Sequence, residues 1–235
     1  MENLMNPRVA ITELRLRLNK LDSLDFDDIP LNIAVKAINK AAIEWFRRQI
    51  HGGNQYREGD EKSRMRMDDL QSFLTKKTLK GSNHRLYFES EEIPDNYLYF
   101  KRIQPRVTKG ECQLKIFHST LVEEANVSEY LADDNWSPSF DWEQCFHTLI
   151  GNKVRVYTND DFKVNNLDLI YYRRPIKMDI EGYEHEDESL SVNVDLEFKD
   201  DIAHIIIDLA ASILAGDIES PNQTQIPAQR AENNN

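Results

Sequence analysis

The chain has 235 residues, of which 40% are hydrophobic and 30% charged, with a formal net charge of −12 at pH 7. A chain of this length can bury a core without disulfides or a metal. Its acidic balance argues against a surface built for nucleic acid or anionic lipid, which requires clustered lysine and arginine.

The helical elements are read from apolar spacing and end signals. Asn6 followed by Pro7 is an N-cap and first-turn pair. Behind it, Ile11, Leu14, Leu18 and Leu21 recur every three or four residues, which predicts a short amphipathic helix. The stretch Asp22–Asp28 reads as an acidic turn. Pro30 then opens a second helix that Gly52 and Gly53 close. Its stripe is Leu31, Val35, Ile38, Ala42 and Trp45, widened by Ala34, Ala37 and Ala41, with Arg47 and Arg48 suited to the C-terminal end of the dipole. Residues 53–62 are polar and loop-like. A third helix is expected over 63–77, with Met67, Leu70, Phe73 and Leu74 on one face.

Near Gly81 the pattern changes to short aromatic and β-branched segments punctuated by Pro94, Pro105 and Gly110. Strands are predicted at 84–88, 97–103 and 112–118, followed by a short helix over 122–131. Residues 136–147 carry Trp136, Phe140, Trp142 and Phe146. They read as an ordered aromatic connection that begins a short helix after Ser139. Two strands, 154–157 and 167–172, are expected around a turn at Asn159–Asp161, and another at 189–194. The last helix, 198–215, has Ile202, Ile205, Ile206, Leu209, Ile213 and Leu214 as a continuous stripe and Gly216 as its stop. Residues 217–235 have no periodicity and read as a flexible arm.

The expected fold class is α+β. It comprises a helical bundle over 1–80, an inserted β-rich domain over 81–196, a helix over 197–216 that completes the bundle, and an extended assembly arm over 217–235.

Chemical motifs are sparse. Cys112 and Cys145 are too few for a disulfide framework and fit synthesis in a reducing cytoplasm. Asn126-Val-Ser128 and Asn222-Gln-Thr224 match the glycosylation sequon, which matters only in secreted proteins. The run Ile202–Ala215 is broken by Asp208 and is too short to span a bilayer, and the residues after Met1 lack the apolar centre of a secretion signal. Cys145-Phe-His147 could form one edge of a metal site with Cys112 and His118, but the tight cysteine pairs of structural zinc are missing. No phosphate-binding glycine loop or nucleophile elbow occurs. Between Asp179 and Glu219 acidic residues dominate, with Lys199 the only base. Acids can hold magnesium, but 184–188 reads as a loop, and Asp200 and Asp201 sit where they favour a helix dipole. Arg64 and Arg66, followed by Asp68 and Asp69, read as ion-pair material around a helix start. Tyr171, Tyr172, Arg173, Arg174 and Pro175 form the other conspicuous cluster. Aromatics beside arginines stack on bases or build protein interface cores, and the acidic chain favours the protein interface.

Three stretches together resemble a known family. They are Arg64-Met-Arg-Met-Asp-Asp-Leu-Gln-Ser-Phe-Leu74, Asn152-Lys-Val-Arg-Val-Tyr157, and Ile170-Tyr-Tyr-Arg-Arg-Pro-Ile176 running into the 198–215 helix. They resemble the tail ring or adaptor proteins, the head-to-tail connectors, of crAss-like short-tailed bacteriophages that infect gut Bacteroidales. The resemblance covers most of the chain, from the second helix to the C-terminal arm.

It implies a structural virion protein, made in the host cytoplasm and placed below the portal. Such proteins have a helical bundle with an inserted β domain. They form a ring of twelve copies around the DNA channel, and their termini reach into the portal or a neighbouring subunit. The implied partners are further copies of the chain, the portal protein, neighbouring tail ring proteins, and double-stranded DNA that passes without specific binding. No membrane, cofactor, metal or enzymatic activity is expected. An acidic lumen would repel phosphate and let DNA slide, although the simpler reading, that acidity only keeps the chain soluble, takes precedence. Expected interface residues are Tyr171, Tyr172, Arg173 and Arg174, together with Pro221, Gln223, Gln225, Ile226 and Arg230 of the arm. The alternatives are another tail ring or tail-completion protein, a metal-dependent nuclease or hydrolase using the acids, and a host-directed interaction module.

Overall fold

The computed structural model describes residues 4–21, 29–51 and 68–218, and the fold is α+β. The chain divides into two compact units. A helical unit takes Met1–Asp69 and Pro175–Asn235, and a β unit takes Leu70–Arg174.

In the helical unit, α1 spans Pro7–Leu21. Its start is the one the Asn6-Pro7 pair encodes: Asn6 Oδ1 accepts the Arg8 N–H at 2.9 Å, and the Asn6 carbonyl accepts that of Ala10. Ala10, Ile11, Leu14 and Leu18 form the buried face. Helix α2, Leu31–His51, begins with the Pro30 carbonyl accepting from Ile33 and Ala34. It buries Ala34, Val35, Ile38, Ala41, Ala42, Trp45 and Phe46. The last helix among the described residues, Asp200–Ile218 and called α4 below, packs against both α1 and α2 through Ile202, Ile206, Ala210 and Ile213. Its alanines and those of α2 let the backbones approach closely. Arg17 of α1 pairs with Asp208 and lies 3.2 Å from His204 Nδ1. Trp45 meets Phe198 edge to face at 5.5 Å. The helix passes through Gly216 to Ile218 instead of stopping there.

Residues 175–199 belong to this unit, not to a β insertion extending to 196. They run in extended form with isolated bridges, Asp179 to Val194 and Glu184 to Leu190, where a strand over 189–194 was expected. The Asn39 side chain clamps Met178, donating to its carbonyl and accepting its N–H, both at 2.9 Å. Asp179 then organises the loop. Its carboxylate accepts the Tyr183 hydroxyl at 2.6 Å, the Ile180 and Val192 N–H groups, and a contact from His185 Nε2 at 3.0 Å. Burial alone would raise the Asp179 pKa, but these donors outweigh it and hold the group below its ordinary value.

The β unit is two sheets around one core. The first has the order β1 (Leu74–Leu79), β9 (Lys163–Arg173), β4 (Tyr97–Thr108), β5 (Lys115–Ile116), all antiparallel. The second has the order β2 (Gly81–Asn83), β3 (Tyr87–Glu92), β8 (Lys153–Tyr157), β7 (Gln144–Ile150), β6 (His118–Leu121), with β6 and β7 parallel. Leu79, Phe88, Ile103, Phe117, Val154, Val156, Leu167 and Leu169 fill the interior. One residue, Lys80, separates β1 from β2, and one, Phe117, separates β5 from β6. At both points the chain switches sheets at a sharp corner. The first corner requires Gly81. A Cβ there would lie 2.1 Å from the Glu89 carbonyl oxygen and 2.8 Å from Ser90 Cα.

Several expectations are corrected here. Residues 74–79, expected within a helix, form strand β1. Leu70, Phe73 and Leu74 imitate helical spacing, whereas Leu74–Leu79 is an edge strand whose lysines face water, a common way of blunting an edge. Only 68–71 are helical among the described residues of 63–77. Strand β4 continues through Pro105 to Thr108. The Pro105 carbonyl accepts Phe117 N–H, so its missing donor faces away from β9, and the pairing to β9 keeps its register from Arg102 to Arg106. After Ser139 there is a turn and then strand β7, not a helix. Strands β8 and β9 fall close to the expected positions, but they pair into different sheets. The helix predicted at 122–131 is a 3-10 turn at Glu124–Asn126 leading into α3, Val127–Ala132. This segment covers the outer face of the second sheet, where Tyr130 lies on Phe146 and Phe146 stacks on Tyr157 at 4.9 Å.

Candidate interaction surfaces

The Tyr171–Arg174 cluster ends β9, and the alternation of a strand explains its placement. Tyr171 points into the core, 2% exposed, with its hydroxyl donating to Asn96 Oδ1 at 2.8 Å and its ring 5.7 Å from Tyr97. Tyr172 points to the opposite face and is also buried. Arg173 lies over the Phe73 ring at 5.4 Å, and its N–H donates to the Phe73 carbonyl. Arg174 donates its N–H to the Asn96 carbonyl at 2.7 Å and keeps an exposed side chain. The two tyrosines therefore build the β unit, a correction to their expected place at a subunit contact. Of the four, Arg174 presents the most side chain to water. Pro221, Gln223, Gln225, Ile226 and Arg230 lie outside the described residues, as do the turn at 22–28, Gly52, Gly53, Arg64 and Arg66.

The buried polar groups of the β unit are structural. Asp168 on β9 is covered by its neighbours. Thr78 donates to Oδ1 at 2.6 Å, and Lys76 and Arg106 each reach Oδ2 at 2.9 Å. Burial raises its pKa, but these three donors outweigh the effect and bring it to about 2. His147 of β7 sits 2.8 Å from Ser119 Oγ through Nδ1, while its Nε2 is buried with no hydrogen-bond partner. Burial drives its pKa down to about 3. An imidazole this weakly basic cannot activate the neighbouring hydroxyl near neutral pH. Cys145, two residues earlier on the same strand face, has its thiol pushed up to about 12 by burial and points to the His118 carbonyl at 3.7 Å. Cys112 is exposed. Among the described residues, no group of three or more His, Cys, Asp or Glu side chains is placed to hold a metal ion, and no helix is long and apolar enough to cross a membrane.

The surface with the clearest recognition chemistry is the turn before β7. Between Lys115 and Lys153 there is no lysine or arginine, while Glu123, Glu124, Glu129, Asp133, Asp134, Asp141 and Glu143 are all acidic. Trp142 is 81% exposed and Trp136 55% exposed. Large aromatics left in water at this level are characteristic of interface hot spots. They are held, not dangling. Gln144 Nε2 donates to the carbonyls of Asn135 at 3.0 Å and Ser137 at 3.3 Å, tying the Trp136 loop to the root of β7. Ser139 and Gln144 close the turn with a bridge. Glu143 adopts a left-handed φ of 53° and is fixed by Lys115 at 2.8 Å, whose ammonium also lies 4.9 Å over Phe140. Lys115 brings Leu114 and Ile116, both more than half exposed, to the side of this turn. The sequence showed the four aromatics of 136–147 but not which of them faced water. The alternation of Phe140 and Phe146 with Trp136 and Trp142 resolves only once β7 is placed.

No family model matches the chain, and no curated protein matches it.

Proposed function

We propose that the protein is a structural subunit of a ring below the portal of a crAss-like short-tailed bacteriophage, joining capsid to tail and enclosing the DNA channel. In this reading it acts without catalysis or cofactor. Its partners are further copies of itself in a twelve-membered ring, the portal protein, and the neighbouring tail rings. The observation that carries the proposal is the architecture. A two-sheet β unit is inserted between α2 and α4 of a helical unit, the layout that the resemblance implies for a helical bundle with an inserted domain. The rigid, acidic, tryptophan-bearing turn adds a surface suited to a protein partner. The acidic balance suits a wall that DNA slides past. The residues 219–235, which follow the end of α4 at Ile218, are the proposed arm that engages the portal or a neighbour.

The test is the copy number of this chain relative to portal subunits in purified particles, by quantitative mass spectrometry. Parity or a small whole-number multiple is the expected result. Absence from the particle overturns the proposal. Removing 219–235 is expected to leave the fold intact and abolish incorporation, and a truncated chain that still joins particles would remove the arm from the proposal.

A further inference from the structure

The acidic tryptophan turn has a counterpart elsewhere on the same chain. On α1 the face opposite Ile11, Leu14 and Leu18 carries Val9, Thr12 and Leu16, all exposed. Val9 and Leu16 are each 50% exposed and stand two turns apart on one stripe. Arg8 borders that stripe and is exposed, whereas Arg15 turns its half-buried guanidinium to the Ile29 carbonyl at 3.2 Å. The acid nearby, Glu13, is occupied by Arg17 at 2.8 Å. Over Pro7–Leu21 the charged residues are Arg8, Glu13, Arg15, Arg17 and Lys20, four positive against one negative, giving +3. Helix α1 thus sets positive charge beside exposed aliphatics, as α2 also does with Lys36, Lys40, Arg47 and Arg48 against Glu44, while negative charge surrounds the exposed tryptophans of one turn.

We propose that these two surfaces bind each other between copies: the Trp136–Trp142 turn of one molecule docks on the outer α1 stripe of the next. The proposal rests on the ring reading above and assigns its subunit contact. The two patches are different, so the contact is heterologous. A heterologous contact propagates head to tail, and it closes into a ring when the rotation per copy divides a full turn. Chemical complementarity is present in both components. Indole rings and aliphatic side chains supply the apolar centre. Asp134 and Asp141 lie against Arg8 at the rim of this contact, where opposite charges select register and partner. A self-complementary patch would give only dimers; two opposite-signed patches on one chain suit an extended series.

The experiment is sedimentation velocity of the full chain across a concentration series at low ionic strength, with circular dichroism to verify folding. Trp142→Ala is expected to weaken self-association by about thirtyfold or more, the loss typical of a hot-spot aromatic. Asp134→Lys with Asp141→Lys, and separately Arg8→Glu, are each expected to weaken it by about tenfold. Combining Arg8→Glu with Asp141→Lys should recover most of that loss. All these side chains are exposed, so the fold does not depend on them. A parent chain that stays monomeric up to its solubility limit overturns the proposal. So does a Trp142→Ala chain that assembles like the parent, or an Arg8→Glu chain that assembles like the parent while the turn variants fail, since the turn would then bind something other than α1. Particle copy number separates the two readings. Ring stoichiometry in particles together with an indifferent Arg8 refutes this contact and leaves the ring in place.

Discussion

His147 makes a quantitative prediction because one buried ring controls it. Unfolded, the imidazole titrates at 6.5, and in the β unit burial lowers this to about 3. The folded state therefore demands the neutral form. The contribution is fully present above pH 6.5 and is lost as pH falls from 6.5 toward 3. Each unit of separation between the two pKa values corresponds to about 1.4 kcal/mol. At pH 5 the β unit should be about 2 kcal/mol less stable than at pH 7.5, and near pH 3 the loss approaches about 5 kcal/mol. His147→Asn keeps an acceptor near Nδ1 for the Ser119 hydroxyl and removes the titration. Amide exchange of β7 and β8 peptides, corrected for the intrinsic pH dependence of exchange, reads the opening free energy at pH 7.5, 6.5, 5.5 and 5. The parent should lose stability at about 1.4 kcal/mol per unit below pH 6.5, and the variant should be much flatter. Parallel slopes in the two proteins would show that His147 is not the group being protonated.

Three further outcomes follow from packing. Gly81→Ala places a methyl against the Glu89 carbonyl oxygen and the Ser90 backbone, so it should cost about 3 kcal/mol or more in urea denaturation, and a near-neutral result would mean that the β1–β2 corner is not built as described. Ile206→Asp buries an unpaired carboxylate on the inner face of α4, where Ile206 is fully buried. It should cost more than about 4 kcal/mol and abolish cooperative helix melting; a soluble, fully helical product would show that this face is open. Asp168→Ala removes the acceptor shared by Thr78, Lys76 and Arg106, and because both cations are partly exposed the expected loss is about 1–3 kcal/mol at neutral pH. The parent should keep this contribution above about pH 4 and lose it as pH falls toward 2, since the folded carboxyl pKa is depressed. Thermal melts from pH 5 to pH 2.5, with and without the substitution, check the sign.

Legibility in the sequence depended on how local the determining contacts were. Helices α1, α2 and α4 were read because an apolar stripe repeats within one turn of the chain and Asn6, Pro7 and Pro30 mark the starts. Strand β1 was misread because its pairing to β9 comes from residues nearly a hundred positions away, while Leu70, Phe73 and Leu74 offered a nearer, helical pattern. Strand β7 was missed for a related reason. Its middle, Cys145–Thr148, is buried on both faces, with Phe146 under α3 on one side and Cys145 against the core on the other, so the polar–apolar alternation that marks a half-exposed strand is absent. The end of the inserted unit was placed too late because 175–196 is extended without belonging to either sheet. Tyr171, Tyr172, Arg173 and Arg174 have the composition of an interface, but composition does not distinguish a ring buried by its own sheet from one awaiting a partner. Trp142 carried no special signal until its exposure was known.

Strands β1 and β9 lie side by side at the root of the β unit, with Leu74 opposite Tyr172 and the Arg173 N–H donating to the Phe73 carbonyl. The chain thus enters and leaves through neighbouring ends of one antiparallel ladder. Tension applied across the two junctions would load that ladder one pair at a time, as a zipper, instead of shearing all its bonds together. Pulled from its own ends, the unit should yield at low force, starting at Leu74 and Tyr172, with both corners at Lys80 and Phe117 still closed. The same geometry makes it portable. A short turn joining Leu70 to Arg174 would close the circle, so a circular permutant opened at Gly151–Asn152 should fold, with its root sealed and its mechanical weak point moved to the β7–β8 hairpin.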